Sequence, residues 1–134
     1  LVELLTNRFG VSTSRVSNKK YWREMQTAKV AVSPFGWGEI AYRDFETFIG
    51  GAALLKPDVS HMNTWPPLYI DGQTYVSHRW DMTDLEGKLE YLLEEGRGVE
   101  IAAHAQASYR KYLFEEEGHL EFADRVFQIT NRYN

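Results

Sequence analysis

A chain of 134 residues with a formal net charge of -4 and no cysteine has the length of one domain, and these totals exclude several kinds of protein. A chain without cysteine has neither a disulfide framework nor a thiolate metal site, and an acidic balance without a basic stripe argues against a nucleic-acid partner. No apolar run reaches the roughly 20 residues of a membrane-spanning helix, so we expect one cytoplasmic domain over 1–134 with no membrane span.

The first segments of the chain predict two helices. The opening run, LVELLTNRFG, is typical of a helix that Gly10 ends. Because this run does not begin with methionine, we expect the chain to be part of a longer protein. Ser17 is placed to cap a second helix, in which Tyr21, Trp22 and Met25 recur at helical spacing and are expected to face the core.

A strand, a helix and a second strand are predicted next. The short apolar run AKVAVS is typical of a strand that is covered on both faces, as in a parallel sheet. A helix is expected over EIAYRDFETFIG, with Ile40, Phe45, Phe48 and Ile49 as its apolar stripe. A pair of glycines ends this helix, and AALLKP is the next buried strand. Such a crossover between parallel strands is almost always right-handed.

The second half of the chain predicts a proline-flanked loop, a short β region and three helices. Two β-like runs flank Asp71 and Gly72, which favours either a hairpin or a turn into an edge strand. Thr83 and Glu86 have the spacing of a capping box for a helix that runs to Gly96. Two helices over EIAAHAQASYRKYLFEEEG and HLEFADRVFQITNRY follow. We therefore predict an α/β fold, a Rossmann-like parallel sheet flanked by helices, with a helical C-terminal end.

The connection SPFGWGEI follows the first predicted strand and is the main candidate for a ligand site, because open α/β sheets bind ligands beyond the carboxyl ends of their strands. Gly36 and Gly38 either let the backbone approach a ligand or adopt a positive φ. The N–H groups of a helix that begins near Glu39 suit a phosphate. Arg43 and Glu46 share one helix face, which suits a diphosphate and ribose hydroxyls. The alternative is an ordinary solvated ion pair on a helix.

The segment from Ala28 to Asp58, AKVAVSPFGWGEIAYRDFETFIGGAALLKPD, resembles the donor-binding signature of GT-B glycosyltransferases. It is most similar to the exostosin-like and CAP10-like groups and to related bacterial enzymes. Arg43, Glu46 and Gly50 stand where that signature has an R-x-x-E helix and a glycine, and LLKP stands at its apolar strand. The run DGQTYVSHRWDMTDLEGKLEYLLEE resembles the closing part of the same domain, so the resemblance covers roughly residues 20 to 115.

The resemblance implies a hexosyltransferase that takes its sugar from a nucleotide-diphosphate sugar donor. The leaving nucleoside diphosphate would be stabilised by Arg43, Lys56 and the helix N-terminus, without a metal ion or another cofactor. The acceptor would bind largely to an N-terminal domain that is missing here, so the chain alone is expected to be inactive or nearly so. The predicted site consists of catalytic Arg43 and Glu39 and of substrate-binding Ser33, Gly36, Gly38, Arg43, Glu46 and Lys56.

Glu39 departs from the family pattern in its spacing. The common retaining pattern has seven residues between two glutamates, whereas Glu39 and Glu46 have six residues between them and Gly38 stands at the expected place. Glu46 fits the second, ribose-binding glutamate. Glu39 either acts at the sugar or favours the N-terminus of the helix by its charge.

Other polar and aromatic residues near the predicted strand ends have weaker indications. Asp58 and His61 follow the second strand and are candidates for contacts to sugar hydroxyls, although two ligands do not make a metal site. His78 and Asp81 bracket Trp80 and are interpreted first as a hydrogen-bonded structural pair. A tryptophan at position 37 either stacks on a base or belongs to the core.

A different class of function is a non-catalytic regulatory or interaction domain that resembles a response-regulator receiver. Such a module needs an acidic cluster at the end of the first strand and a phosphorylatable aspartate, which the sequence does not offer at the expected place. A donor site instead predicts an open crevice above Val32 and Leu55, lined by Arg43 and Glu46.

Overall fold

The computed structural model describes residues 1–11 and 13–131. The described part contains a three-stranded sheet, in the order β1-β2-β3 with all strands parallel, and helices on both sides of it. The chain is therefore mixed α/β, as the sequence predicts at the level of fold class. The elements in chain order are α1 (Val2–Phe9), α2 (Asn18–Thr27), β1 (Val30–Val32), α3 (Tyr42–Gly50), β2 (Ala53–Pro57), β3 (Val76–His78), α4 (Leu85–Leu93), α5 (Arg97–Phe114) and α6 (Glu116–Asn131).

Strand β2 lies at the centre of the sheet and is buried along its whole length. Its alternate side chains enter two apolar clusters, because successive residues of a strand point to opposite faces. Leu55 packs with α1, α4 and the start of α5, whereas Leu54 packs with Phe48 of α3, Tyr75 and Ala105 of α5. The prediction that AALLKP forms a buried strand is confirmed, whereas β1, predicted to be covered on both faces, is fully buried only at Ala31.

Helix α3 begins later than the sequence predicts and buries a different stripe. It starts at Tyr42, and its buried side chains include Asp44 and Phe48. Ile40 precedes the helix and is 42% exposed, and Ile49 is 55% exposed, so the predicted apolar stripe is wrong for these two residues. The reason is that a buried carboxylate, rather than an isoleucine, occupies the position that faces β2.

In α2, the Ser17 cap is confirmed by a hydrogen bond of 3.4 Å from the Lys20 N–H to the Ser17 hydroxyl oxygen. Met25 is buried and Tyr21 is half-buried, but Trp22 lies 37% exposed at the surface. Trp22 therefore does not face the core as predicted. Its ring instead contacts the edge of the Tyr21 ring, with centroids 5.8 Å apart.

The predicted capping box at the start of α4 is wrong. The residue before the helix is Asp84, and no side chain caps this end. The backbone N–H of Thr83 instead donates a hydrogen bond of 3.1 Å to Asp81, and its hydroxyl donates another of 2.8 Å. Asp81 therefore takes the N–H that Glu86 was expected to accept. Upstream of this helix, the turn at Asp71 leads into the parallel strand β3, which is the edge-strand alternative rather than the hairpin.

The two C-terminal helices follow each other almost without a break, and α6 begins at Glu116, before the predicted start at His119. The last residues of the predicted helix, 132 and 133, lie outside the described residues. In the part of the chain that the structure describes, no helix combines the length and the apolar character needed to cross a membrane.

Candidate functional site

Polar side chains gather at the carboxyl end of the sheet. Ser33 directly follows β1, Lys56 lies near the end of β2, Asp58 follows β2, and His78 ends β3. Ser33, Lys56 and His78 are almost completely buried. Because the carboxyl ends of parallel strands meet at one edge, residues that are distant in sequence come together here.

The centre of this edge is the carboxylate of Asp44, which comes from the first turn of α3. Its Oδ1 accepts a hydrogen bond of 2.6 Å from the Ser33 hydroxyl. Its Oδ2 accepts from the Tyr69 hydroxyl at 2.9 Å and from the Ala41 N–H at 3.2 Å. The Lys56 ammonium lies 3.1 Å from the same oxygen, and the side chains of both charged residues have no exposed surface. A buried carboxylate with this many donors is well compensated for its loss of water.

The ammonium of Lys56 also fixes the loop between β1 and α3, residues 33–41. It donates a hydrogen bond of 2.6 Å to the backbone carbonyl of Glu39. The rings of Phe35 and Tyr69 flank it, with centroids at 5.3 Å and 5.7 Å. Lys56 was predicted to bind substrate, and in this structure protein groups enclose its charge.

Asp44 is not among the site residues that the sequence predicts. Two signals were present: Asp44 stands four residues before the buried Phe48 on the same face of α3, and LLKP places a lysine inside an apolar strand. A lysine is almost never fully buried without a partner, so this strand required a carboxylate nearby.

Arg43 and Glu46 lie on another face of α3, toward α2. Glu46 is half-buried, and its Oε2 accepts a hydrogen bond of 2.6 Å from the hydroxyl of Tyr21. Burial, and then the hydrogen bond and charge of Glu46, raise the pKa of Tyr21, while Arg43 acts in the opposite direction. Arg43 is exposed. The two predicted donor-binding residues therefore do share a face, and the structure adds Tyr21 as their neighbour.

Gly36 and Gly38 are both exposed, and a Cβ built on either glycine would meet nothing within 4 Å. Neither has a positive φ, which among the described glycines occurs at Gly10, Gly51, Gly72 and Gly96. The prediction that Gly36 and Gly38 adopt a positive φ is therefore wrong. The space around both glycines is open. Between them, Trp37 is fully exposed rather than part of the core.

Glu39 pairs with a residue that sequence reasoning left outside the predicted site. Its Oε1 lies 2.7 Å from Nε2 of His61, in the loop after β2, and both side chains are partly exposed. The ring of His61 contacts Trp80 at a centroid distance of 5.5 Å. The Glu39 side chain thus connects the loop before α3 to the loop after β2.

An open depression of about 500 Å³ lies beside the end of β3. The Arg79 guanidinium binds Asp81 at 2.9 Å and, with hydrogen bonds from Thr83, holds the pKa of that carboxyl well below its usual range. The backbone N–H of Arg79 donates a hydrogen bond of 2.8 Å to Oδ1 of Asp84. The depression is lined by Asp58, Ser77, His78, Arg79, Trp80, Asp81 and Asp84.

No group of three or more histidine, aspartate or glutamate residues is placed to hold a metal ion within residues 1–11 and 13–131. Comparisons of the chain with protein-family models, with curated proteins and with solved structures gave no match.

Two tyrosines next to this edge, the buried Tyr75 and the half-buried Tyr69, predict a loss of stability at alkaline pH. Burial is the main cause that raises the pKa of Tyr75 to about 12 and the pKa of Tyr69 above its ordinary value, the latter helped by the charge of Asp44. A raised folded-state pKa contributes stability below the unfolded value of 10.0, and this contribution is lost as the pH rises through the folded value. We expect the free energy of unfolding to fall from pH 10 to 12, by roughly 1 kcal/mol per pH unit from Tyr75.

Urea titrations between pH 9 and 12, followed by tryptophan fluorescence, measure this slope. Tyr75→Phe removes the ionisable hydroxyl and should make the decline shallower, whereas a variant with the same slope as the parent chain contradicts the assignment.

Proposed function

We propose that the chain is the C-terminal, Rossmann-like donor-binding domain of a GT-B glycosyltransferase and binds a nucleotide-diphosphate sugar. The observation that supports this most is the carboxyl edge of an all-parallel sheet, where Ser33, Lys56 and His78 lie at or next to the ends of three neighbouring strands, beside the N-terminus of α3. Ligands of open α/β sheets bind at this edge. The resemblance of residues 28–58 to the donor-binding signature supports the same proposal.

Arg43 would bind the diphosphate of the donor. Its guanidinium is exposed near the start of α3, and a guanidinium can bind two phosphate oxygens at once. During transfer the bond between the anomeric carbon and the phosphate oxygen breaks, and the oxygen keeps the electron pair. The oxygen of an acceptor hydroxyl forms the new bond to the anomeric carbon, and its proton passes to a base that the N-terminal domain would supply. The leaving diphosphate gains negative charge, which Arg43 and the N-terminus of α3 would stabilise.

Glu46 would accept hydrogen bonds from the ribose hydroxyls. The Tyr21 hydroxyl donates to Oε2 of this carboxylate, and Oε1 accepts no hydrogen bond from residues 1–11 and 13–131, so Oε1 would receive the ligand. The donor would have room beside Gly36 and Gly38, since the space next to both glycines is open.

Lys56 and Ser33 would act on the donor indirectly. Both donate to the buried carboxylate of Asp44, and Lys56 also holds the carbonyl of Glu39. Together they would keep the loop of residues 33–41 in one conformation before the donor arrives. Preorganisation of this kind reduces the ordering cost of binding.

The acceptor site and most of the remaining catalytic groups would belong to an N-terminal domain, so the chain by itself would bind the donor without turning it over. GT-B enzymes do not require a metal ion for this chemistry, and the proposal involves none.

Titration calorimetry with UDP, GDP and ADP tests the proposal. We expect one of the three to bind with a Kd between micromolar and millimolar values, and Arg43→Ala to weaken that Kd about tenfold, which corresponds to about 1.4 kcal/mol. Arg110→Ala, at an exposed position on α5, is the matched control and should leave the Kd unchanged.

The role of Glu46 has its own readout. The parent chain should bind the ribonucleotide more tightly than its 2′-deoxy form, and Glu46→Ala should bind both equally. Absence of heat with all three nucleotides would refute the proposed function.

A further inference from the structure

The open depression beside β3 has the features of a site for a sugar ring rather than for a phosphate. Three carboxylates, those of Asp58, Asp81 and Asp84, line it together with the single guanidinium of Arg79, which is already bound to Asp81. This excess of negative charge repels a diphosphate. The same carboxylates are good acceptors for the hydroxyl groups of a neutral ligand.

Trp80 gives the depression an aromatic wall. Its side chain is 58% exposed, yet three contacts fix its orientation. The indole N–H donates a hydrogen bond of 2.8 Å to the carbonyl of Asp58. The rings of Phe35 and His61 meet the indole at steep angles, with centroid distances of 5.4 Å and 5.5 Å. A large ring that stays in place while remaining exposed loses little entropy when a ligand packs on it.

Asp84 offers a free acceptor in the same depression. Its Oδ1 accepts the backbone N–H of Arg79 at 2.8 Å, whereas its Oδ2 has no hydrogen bond within the described part of the chain. The carboxylates of Asp58 and Asp81 are more fully used, by Ser60 in one case and by Arg79 and Thr83 in the other. Asp84 is therefore the carboxylate best placed to bind a hydroxyl group of a ligand.

We propose that Trp80 and Asp84 form a pyranose-binding subsite, in which the apolar face of the sugar ring packs on the indole and a ring hydroxyl donates to Oδ2 of Asp84. A volume of about 500 Å³ is in the range of small-molecule sites. A sugar ring presents C–H groups on one face and hydroxyls around its rim. The Trp80 indole can pack on the C–H face, and Oδ2 of Asp84 can accept from a hydroxyl at the rim.

The position of the subsite relates it to the proposed donor site. Neighbouring strands are about 4.8 Å apart, so the ends of β1 and β3 lie roughly 10 Å from each other across the sheet. Arg43 precedes Asp44, whose carboxylate binds Ser33 at the first of these ends, and Trp80 follows the second by two residues. An extended nucleotide-diphosphate sugar could place its diphosphate at the first and its sugar at the second. The identification of the bound sugar as that of the donor rests on the proposed function, whereas the subsite itself does not.

Two measurements test the subsite. The first compares the Kd of UDP-glucose, GDP-mannose and ADP-glucose with that of the corresponding nucleoside diphosphate. The contribution of the sugar is the Kd of the nucleoside diphosphate divided by the Kd of its nucleotide sugar. For the nucleotide that binds, Trp80→Ala should reduce this ratio about tenfold. Trp22→Ala, which removes a partly exposed indole on α2, is the matched control and should leave that ratio unchanged. Trp80→Phe and Asp84→Asn, which keep a ring and the side-chain size, should give intermediate losses.

The second measurement needs no nucleotide. Methyl glucoside, methyl galactoside and methyl mannoside are titrated into the chain at millimolar concentrations, and the indole N–H signals of the four tryptophans are followed by NMR. We expect at least one glycoside to shift the Trp80 signal and to leave that of Trp22 in place. If nucleotides give no heat but a glycoside shifts Trp80, the donor proposal fails and the subsite stands. If the Kd ratio is unchanged in Trp80→Ala and no glycoside shifts Trp80, the subsite proposal is wrong.

Discussion

Replacing Lys56 with methionine is expected to lower the free energy of unfolding by about 3–5 kcal/mol, because it leaves the carboxylate of Asp44 buried without its counter-ion. Both side chains have no exposed surface, so water cannot replace the lost ammonium. The remaining donors, Ser33, Tyr69 and the Ala41 N–H, reduce the penalty but carry no full charge. Urea unfolding at pH 7, followed by tryptophan fluorescence, measures the change.

A double-mutant cycle separates the ion pair from the general effect of altering the core. Asp44→Leu should cost a similar amount, because it leaves the Lys56 ammonium with the Glu39 carbonyl as its remaining hydrogen-bond acceptor in the described part of the chain. The double variant should cost clearly less than the two single changes together. Lys20→Met, at the exposed pair with Glu24, is the matched control, with an expected cost of about 0.5 kcal/mol or less. Additive costs in the cycle would contradict a coupled pair.

The same variant has a consequence for the proposed site. Lys56 holds the carbonyl of Glu39, and Glu39 in turn binds His61 through its side chain. Loss of the ammonium should therefore loosen the loop of residues 33–41 more than the sheet. Hydrogen exchange should show faster exchange at the loop amides of Lys56→Met than at those of β2, when both are compared with the parent chain.

The strand-helix-strand unit could be predicted from sequence because its signals are local. AKVAV and AALLKP are continuous apolar runs, and such runs fill a strand that is buried on both faces. The glycines at the helix ends also follow a local rule, and Gly10 and Gly51 do take the left-handed conformation that ends α1 and α3.

The buried face of α3 could not be predicted in the same way, because it depends on the ion pair between Asp44 and Lys56, which belong to different elements. Asp44 is polar and was left out of the apolar stripe, but Lys56 lies on the neighbouring strand and stabilises the carboxylate in the interior. Hydrophobic periodicity alone assigns Ile40 and Ile49 to the core in the same way as Phe45 and Phe48. The identity of the buried face thus depends on a residue twelve positions further along the chain than Asp44.

The candidate site was predictable in its location and less so in its members. The rule for open α/β sheets led to the connection after β1, and the polar strand ends do meet there. His61 and Trp80 reach the same edge from two other connections, and no spacing within the sequence relates them to Glu39. The proposed sugar subsite depends on that three-dimensional convergence, which is why sequence patterns gave it little weight.

A second large loss of stability is expected for Gly98→Ala, at the place where α5 meets the sheet. This glycine is buried in the first turn of α5, and a Cβ built on it would lie 2.6 Å from the carbonyl oxygen of Leu92 and 3.6 Å from the Cβ of Ala53. The first distance is too short for any real contact, and the atom concerned belongs to the backbone, so it cannot rotate away. Gly98→Ala must therefore push α5 away from α4 and β2. We expect a cost of about 2–3 kcal/mol, from overpacking.

Gly87 in α4 is the matched control, since a Cβ there would meet nothing within 4 Å. Alanine loses less backbone entropy than glycine on entering a helix, so Gly87→Ala should stabilise the chain by about 0.5–1 kcal/mol. The two substitutions add the same methyl group to neighbouring helices and should change the urea midpoint in opposite directions. A Gly98→Ala variant that is as stable as Gly87→Ala would show that α5 does not approach α4 and β2 as closely as the structure has it. Since α5 supports β2, whose carboxyl end bears Lys56, the proposed donor site would then need a different scaffold.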